Sequence, residues 1–267
     1  MKRPEGRARG IPLRAVVPNA VTALALCVGL SGVRFAIAEE WERAIAAIII
    51  AGVLDGMDGR IARMLKGQSR FGAELDSLSD VIAFGVSPAI IVHLWSLQFL
   101  PRFGWLFALA YAVCAALRLA RFNANIDVED QPHKSAGFLT GVPAPAAAGL
   151  MLLPVYLWLA TDQQWDWLRE VAFTAPWSAL IAFFMVSNLA TFSWTSLRLR
   201  SRVRLWVILV VALVGGALFT APWPTLSVIS VIYVLMIPVS ILSYGRIRKQ
   251  RAAGSAPTER PPAADAH

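Results

Sequence analysis

Four aspartates in a chain otherwise rich in apolar residues are the side chains best suited to do chemistry. They form two pairs, Asp55 with Asp58 and Asp76 with Asp80. Spacings of three and four residues place each pair on one helical face, with Cβ atoms about 5–6 Å apart. If the two helices form a hairpin, four carboxylates surround one cavity. Such hard oxygen ligands suit Mg²⁺, Mn²⁺ or Ca²⁺, so the pattern predicts a divalent-metal site.

A structural cluster of ion pairs is the alternative interpretation of these acids. Arg60, Arg63 and Arg70 are close enough in the sequence to neutralise them. A charged side chain within a membrane span costs about 2.5–3.5 kcal/mol, so the carboxylates need cations of some kind. Arginines alone do not explain the regular spacing of the acids or their small neighbours. We therefore expect metal ions, and two of them, as in sites that stabilise both the attacking and the leaving oxygen.

The aspartates belong to a longer motif, D-x2-D-G-x2-A-R-x8-G-x3-D-x3-D. Its other fixed positions are Gly59, Ala62, Arg63 and Gly72. The motif resembles the signature of the CDP-alcohol phosphotransferases at all eight fixed positions, and a chance match is on the order of 10⁻¹⁰ at typical residue frequencies. The resemblance implies an enzyme that transfers a substituted phosphate from a CDP-linked donor to an alcohol and releases CMP.

The resemblance also implies a role for each residue of the motif. Asp55, Asp58 and Asp76 would be metal ligands, and Asp80 would both bind metal and accept a proton. The donor, CDP-diacylglycerol, would contact Asn19, Thr22, Asp58, Gly59, Ala62, Arg63 and Gly72. Glycines let a ligand approach the helix backbone, and an arginine offers paired donors to a diphosphate. Close helix packing is the alternative for either glycine, and a helix N-cap is the alternative for Asn19.

Two further segments concern the acceptor alcohol. LRLARFNAN (117–125) and KSAGFLTGVPAPAAAG (134–149) resemble the corresponding segments of the integral-membrane phosphatidylserine synthases. This implies L-serine as the acceptor, with Arg118, Arg121, Asn123 and Lys134 as its contacts. Arg118 and Arg121 share a helical face and could pair with a carboxylate, but they could also be residues that extend to the inner leaflet. Glycerol 3-phosphate, inositol phosphate and choline are the alternative acceptors.

The composition indicates a membrane protein. Hydrophobic residues make up 57% of the chain and charged residues 16%, against roughly a quarter charged in soluble proteins. We expect an all-α, polytopic bundle of about eight spans. The predicted spans are 16–37, 44–54 continuing into the motif, 80–97, 104–121, 142–160, 173–193, 205–220 and 225–243. The domains predicted are a basic N-terminal segment (1–15), a six-helix catalytic bundle (16–195), two additional helices (196–245) and a disordered tail (246–267).

The basic residues predict the orientation of these spans. With the N-terminus in the cytoplasm, every Lys and Arg except Arg34, Arg43, Arg102 and Arg169 falls in a cytoplasmic segment. This agrees with the positive-inside rule. We therefore expect a protein of the inner membrane with both termini in the cytoplasm and the aspartates on the cytoplasmic side.

Other classes of function are less consistent with the sequence. The net charge of +8 is explained by short basic loops beside an anionic membrane, so nucleic-acid binding is not expected. Cys27 and Cys114 fall within predicted spans, lack metal-ligand spacing and are expected to be packing residues. A cation-binding transporter would explain the aspartates but leaves Gly59, Ala62 and Arg63 without a role. Homodimers are common in the family and are the assembly that the resemblance implies.

Overall fold

Each of the eight predicted spans contains helix in the computed structural model, which describes residues 13–124, 138–187, 190–192 and 204–254. The first five helices are α1 (Leu13–Ile37), α2 (Trp41–Met64), α3 (Arg70–Asp80), α4 (Ser87–Trp95) and α5 (Gly104–Ala124), with a π-helical segment (Val81–Val86) joining α3 to α4. The remaining helices are α6 (Ala144–Met151), α7 (Leu153–Ala160), α8 (Val171–Val186), α9 (Arg204–Thr220) and α10 (Pro222–Gly254). This confirms the all-α bundle.

Four of the helical segments are long and apolar enough to cross a membrane. They are Val16–Ile37, Arg70–Trp95, Gly104–Ala124 and Pro222–Ser240. Helices α8 and α9 are apolar but shorter, α2 carries the charged motif, and the pair α6–α7 is interrupted at Leu152. The protein is thus a membrane protein, and a crossing by each of these other segments stays a prediction.

Three boundaries differ from those predicted. The fifth span divides into α6 and α7 because Pro154 has no N–H, and the carbonyl of Leu150, four residues earlier, accepts from Trp177 Nε1 at 2.8 Å instead. In the sixth predicted span, helix α8 ends at Val186, because Ser187 has extended backbone. The last helix continues to Gly254, so 246–254 is helical rather than disordered. Its Arg, Lys, Gln and Ala residues favour that state.

The structure also contains two three-residue strands, which the sequence did not predict. β1 (Phe138–Thr140) pairs antiparallel with β2 (Ala190–Phe192), and Leu139 lies opposite Thr191. Gly141 follows β1 with φ +73°, and a Cβ there would lie 2.9 Å from the carbonyl oxygen of Met185. Glycine is therefore needed where this loop passes the end of α8.

A tight connection sets the two aspartate-bearing helices against each other. Helix α2 ends in a Schellman motif, in which Gly67 N–H donates to Ala62 O at 3.0 Å and Lys66 N–H donates to Arg63 O at 3.3 Å. Lys66 takes the left-handed conformation that this motif requires, with φ +50°. Helix α3 then begins at once, because Ser69 Oγ accepts from Gly72 N–H at 3.0 Å as an N-cap.

Small residues bring α1 and α5 close to the π-helical segment. A Cβ added at Gly29 of α1 would lie 2.9 Å from Ala83 Cβ, and one added at Gly85 would lie 2.9 Å from Ala115 Cβ of α5. Close backbone approach of this kind is typical of membrane helices. Helix α1 also packs along α2 and contacts α3, so it closes one side of the space between the aspartates.

Candidate active site

Three of the four motif aspartates converge on one point. One carboxylate oxygen from each of Asp55, Asp76 and Asp80 lies within 4.8 Å of the other two. Asp80 Oδ1 is buried and has no hydrogen-bond partner among the described residues. A buried, unpartnered oxygen beside two further carboxylates fits a hard divalent cation. The chemistry of these donors therefore agrees with the predicted metal site.

Asp58 lies one helical turn from Asp55 but has a different environment. Its side chain is only 5% exposed, and Oδ2 accepts a hydrogen bond of 2.5 Å from the hydroxyl of Thr22 on α1. Thr22 is itself buried, and its carbonyl accepts from Ser79 Oγ at 3.4 Å. Asp58 thus stands beside the three converging carboxylates and faces α1, and its role as a fourth metal ligand stays a prediction.

The ion-pair interpretation of the aspartates finds no support in the described part of the chain. Its one ion pair joins Arg43 to Glu40 at 2.7 Å, at the opposite end of α2. In the described part of the chain, none of the three arginines Arg60, Arg63 and Arg70 forms an ion pair with a motif aspartate. The carboxylates therefore keep their capacity to bind an exogenous cation.

A cavity of about 330 Å³ opens beside the aspartates, between α1, α2 and α3. Every residue predicted to contact the CDP part of the donor lines it: Asn19, Thr22, Asp58, Gly59, Ala62, Arg63 and Gly72. Asp76 lines it too, so the cavity adjoins the three converging carboxylates. It is further lined by Pro18, Gly67, Gln68, Ser69 and Ala73, which the sequence analysis did not assign to the site. Most of these residues occupy variable positions of the motif, so the motif could not identify them as part of the site.

The two motif glycines shape this cavity in different ways. A Cβ added at Gly72 would lie 2.6 Å from Asn19 Oδ1 and 3.1 Å from Ser69 Oγ, so the glycine leaves room for two polar side chains at the wall. A Cβ added at Gly59 would meet no atom within 4 Å and would extend into the cavity. Gly59 therefore leaves open space at the cavity wall, and helix packing does not require it.

Three of the four residues predicted to bind the acceptor lie on the described end of α5. Arg118 is within electrostatic range of Asp80, and its Nε is buried with no hydrogen-bond partner in the described part of the chain. Asn123 Nδ2 donates to Ser77 Oγ at 2.9 Å, on the helix that carries Asp76 and Asp80. Lys134 lies outside the described residues.

Arg121 makes a structural contact that the sequence analysis did not include. Its Nη1 donates to the carbonyl oxygen of Val186 at 3.0 Å, which is the last residue of α8. A cationic donor suits the unpaired carbonyls at a helix C-terminus. Arg121 therefore joins α5 to α8, and a role in serine binding stays a prediction for it.

The last helix also reaches this side of the site. Tyr233 of α10 is within electrostatic range of Arg118, and Ser230, one turn earlier, lies 2.6 Å from the hydroxyl oxygen of Tyr156 on α7. A helix outside the predicted six-helix catalytic bundle thus approaches Arg118. Residue spacing gave no signal for this contact because more than a hundred residues separate Arg118 from Tyr233.

Comparison with known proteins finds two matching family models and several similar proteins. The model of the CDP-alcohol phosphatidyltransferase family matches residues 15–185, and that of CDP-alcohol phosphatidyltransferase 2 matches residues 202–238. Three similar proteins are each named CDP-diacylglycerol–serine O-phosphatidyltransferase. Those of Mycobacterium bovis and Mycobacterium tuberculosis (strain H37Rv) are 37% and 36% identical over 90% of this chain and 82% of their own length. That of Helicobacter pylori (strain 26695) is 32% identical over 82% of this chain and 87% of its own length. The chain belongs to the CDP-alcohol phosphatidyltransferase family.

Proposed function

We propose that this protein transfers the phosphatidyl group of CDP-diacylglycerol to the hydroxyl of L-serine, giving phosphatidylserine and CMP. The observation that carries the proposal is the cavity that joins all the predicted donor-binding residues to the cluster of Asp55, Asp76 and Asp80. The name shared by the similar proteins supports serine as the acceptor.

The aspartates would hold the divalent metal on which this family generally depends. Asp55, Asp76 and Asp80 would be the primary ligands, with Asp58 beside them, and we propose two ions of Mg²⁺ or Mn²⁺, with Ca²⁺ as a third candidate. When bound, divalent cations neutralise negative charge on the phosphoryl oxygens and on the leaving group.

The cavity residues would bind the nucleotide end of the donor. The exposed side chain of Arg63 offers bidentate hydrogen bonds to the diphosphate, and the open space at Gly59 admits it close to α2. Asn19 Oδ1 and Ser69 Oγ, which line the wall near Gly72, supply polar contacts. The acyl chains of the donor would remain in the bilayer.

The acceptor would approach from α5. Arg118 would bind the serine carboxylate and hold the hydroxyl near Asp80. The serine oxygen attacks the phosphorus of the diacylglycerol phosphate, a new P–O bond forms, and the P–O bond to CMP breaks. The hydroxyl proton passes to the carboxylate of Asp80, late in the transfer. CMP leaves with the electron pair of the broken bond.

The family match and the chemistry of Arg118 distinguish serine transfer from the alternative functions and acceptors. Membership of a transferase family removes the cation-binding transporter. Glycerol 3-phosphate and inositol phosphate bring an additional phosphate, which would need more cations than Arg118 and Arg121 provide. Choline has no carboxylate for Arg118 to bind.

The orientation is a further proposal. Because the basic residues cluster in alternate segments, we place the cavity and both termini on the cytoplasmic side of the inner membrane. We also retain a homodimer as the assembly. Labelling of single cysteines from either side of the membrane and the mass of the purified protein in detergent check these two statements.

The test of the function is release of CMP by the purified protein from CDP-diacylglycerol in mixed micelles with Mn²⁺ or Mg²⁺. L-serine, glycerol 3-phosphate, inositol phosphate and choline are supplied in turn. We expect release to require serine and metal, with phosphatidylserine as the lipid product. Release driven by another alcohol would overturn the acceptor, and absence of release with every acceptor would overturn the function.

Replacement of Thr22 by valine is expected to raise the KM for CDP-diacylglycerol about tenfold. Valine keeps the shape of threonine but removes the donor to the buried Asp58 carboxylate, and a hydrogen bond to a charged group contributes about 1.5–3 kcal/mol. Thr225→Val is the matched control, because Thr225 Oγ1 bonds the carbonyl four residues earlier, as Thr22 does, but contacts no aspartate. Equal KM values in the two variants would contradict the role of Thr22.

Replacement of Arg118 by glutamine is expected to raise the KM for L-serine roughly tenfold, with the KM for CDP-diacylglycerol changed less than twofold. The loss corresponds to about 1.4 kcal/mol, close to the lower end of the roughly 1.5–3 kcal/mol that a hydrogen bond to a charged group contributes. Initial rates over a range of serine concentrations measure it, and Arg34→Gln, on α1, is the control. An unchanged KM for serine would indicate that Arg118 only anchors α5 in the inner leaflet.

A further inference from the structure

The helix that carries Asp76 and Asp80 changes its winding directly after Asp80. The α-helix gives way to the π-helical segment Val81–Val86, and at its end the N–H of Ser87 donates to the carbonyl of Ile82, five residues earlier. A π turn places one additional residue in the helix, and such turns occur frequently at functional sites. This one fixes how the helical face bearing Asp80 is oriented relative to α4.

Pro88 explains why the winding changes here. A proline has no N–H, and its ring clashes with the carbonyl four residues before it, which here belongs to Phe84. In a membrane the freed carbonyl needs another donor. The hydroxyl of Tyr111 on α5 supplies it, donating to Phe84 O at 3.0 Å. Tyr111 is fully buried, so no water competes for this bond.

At a second proline in the bundle, the carbonyl four residues earlier also accepts a hydrogen bond from a side chain. The missing N–H of a proline therefore accounts for both bonds. Pro154 leaves the carbonyl of Leu150 without its helical donor, and Trp177 Nε1 donates to that carbonyl at 2.8 Å. That break adjoins none of the cavity residues. The bond from Tyr111, in contrast, lies one helical turn from Asp80.

The face of α5 that carries Tyr111 also contacts the rest of the site. Tyr111, Ala115 and Arg118 are four and three residues apart and therefore share one face. Ala115 packs against Gly85 of the π-helical segment, where an added Cβ would come within 2.9 Å. Arg118 is within electrostatic range of Asp80. One face of α5 thus contacts the π-helical segment through Tyr111 and Ala115 and also carries Arg118.

We propose that Tyr111 is a positioning residue for Asp80. By holding the carbonyl of Phe84 in the π turn, its hydroxyl fixes the rotation of the helix so that the carboxylate of Asp80 meets those of Asp55 and Asp76. This inference rests on the proposed function of the aspartate cluster in phosphatidyl transfer.

The test compares Tyr111→Phe with Tyr156→Phe in the purified protein. Tyr156 is the matched control because its buried hydroxyl also donates to a backbone carbonyl, that of Gly149, but on α6. We expect both variants to lose some thermal stability. Only Tyr111→Phe should lower kcat, about tenfold, with KM for CDP-diacylglycerol and serine within twofold. Binding of Mn²⁺ alone, followed by electron paramagnetic resonance, should weaken in that variant only.

A second pair of variants tests whether the hydroxyl of Tyr111 acts by replacing the N–H that Pro88 lacks. In a Pro88→Ala protein, residue 88 regains an N–H that an α-helical turn directs to Phe84 O, so adding Tyr111→Phe should change kcat less than twofold. A tenfold loss in both backgrounds, equal losses in Tyr111→Phe and Tyr156→Phe, or an unchanged kcat in Tyr111→Phe would overturn the inference. The unmutated protein serves as the separate check, since absence of serine-dependent CMP release from it would overturn the proposed function instead.

Discussion

An Asp80→Asn protein is expected to release CMP in response to serine about 10² to 10⁴ times more slowly than the unmutated protein. Asparagine has nearly the same shape but cannot accept a proton or bind a cation with full charge, and acid–base catalysis by a positioned side chain contributes a factor of that size. Asp80 is the residue to change because its buried Oδ1 has no partner in the described part of the chain. Single-turnover release of CMP measures the effect.

Stability separates this functional loss from misfolding. Removing one of three carboxylates that lie within 4.8 Å of each other relieves repulsion in the metal-free protein. The Asp80→Asn variant should therefore unfold in EDTA at a temperature no lower than the unmutated protein. Glu74→Gln is the control, because Glu74 is an exposed acid on the same helix that lies outside the cavity. Equal activity of the two variants would exclude Asp80 from the chemistry.

Much of this site could be predicted because its residues are local in sequence. Asp76 and Asp80 lie on one face of α3, and the short connection between α2 and α3 brings Asp55 to them. The periodicity of a helix and the brevity of the loop are both visible in the sequence. Asn19 and Thr22 are distant in sequence, and their place at the cavity came from the family resemblance, not from spacing.

Other features depended on contacts that no local pattern contains. Pro88 is visible in the sequence, but a proline can end, kink or rewind a helix, and only the position of Tyr111 on α5 shows which occurs. Likewise the spacing treated Asp58 as equivalent to Asp55, whereas the Thr22 hydroxyl draws it toward α1. The approach of Tyr233 to Arg118 follows from the packing of α10 on α7.

The open space at Gly59 predicts a large effect of a bulky side chain at this position on the KM for CDP-diacylglycerol. Gly59→Leu would place a side chain in the cavity proposed for the nucleotide, where an added Cβ meets no protein atom, so the fold should tolerate it. We expect the KM for CDP-diacylglycerol to rise on the order of a hundredfold, as for ligands displaced by about 1 Å. Gly56→Leu is a close control, because Gly56 lies one turn earlier on α2 with equally open space but does not line the cavity. Both variants replace glycine within a helix and gain the same helix propensity, so a difference between their KM values reports the cavity alone. If both variants bind CDP-diacylglycerol equally well, the nucleotide does not occupy this space.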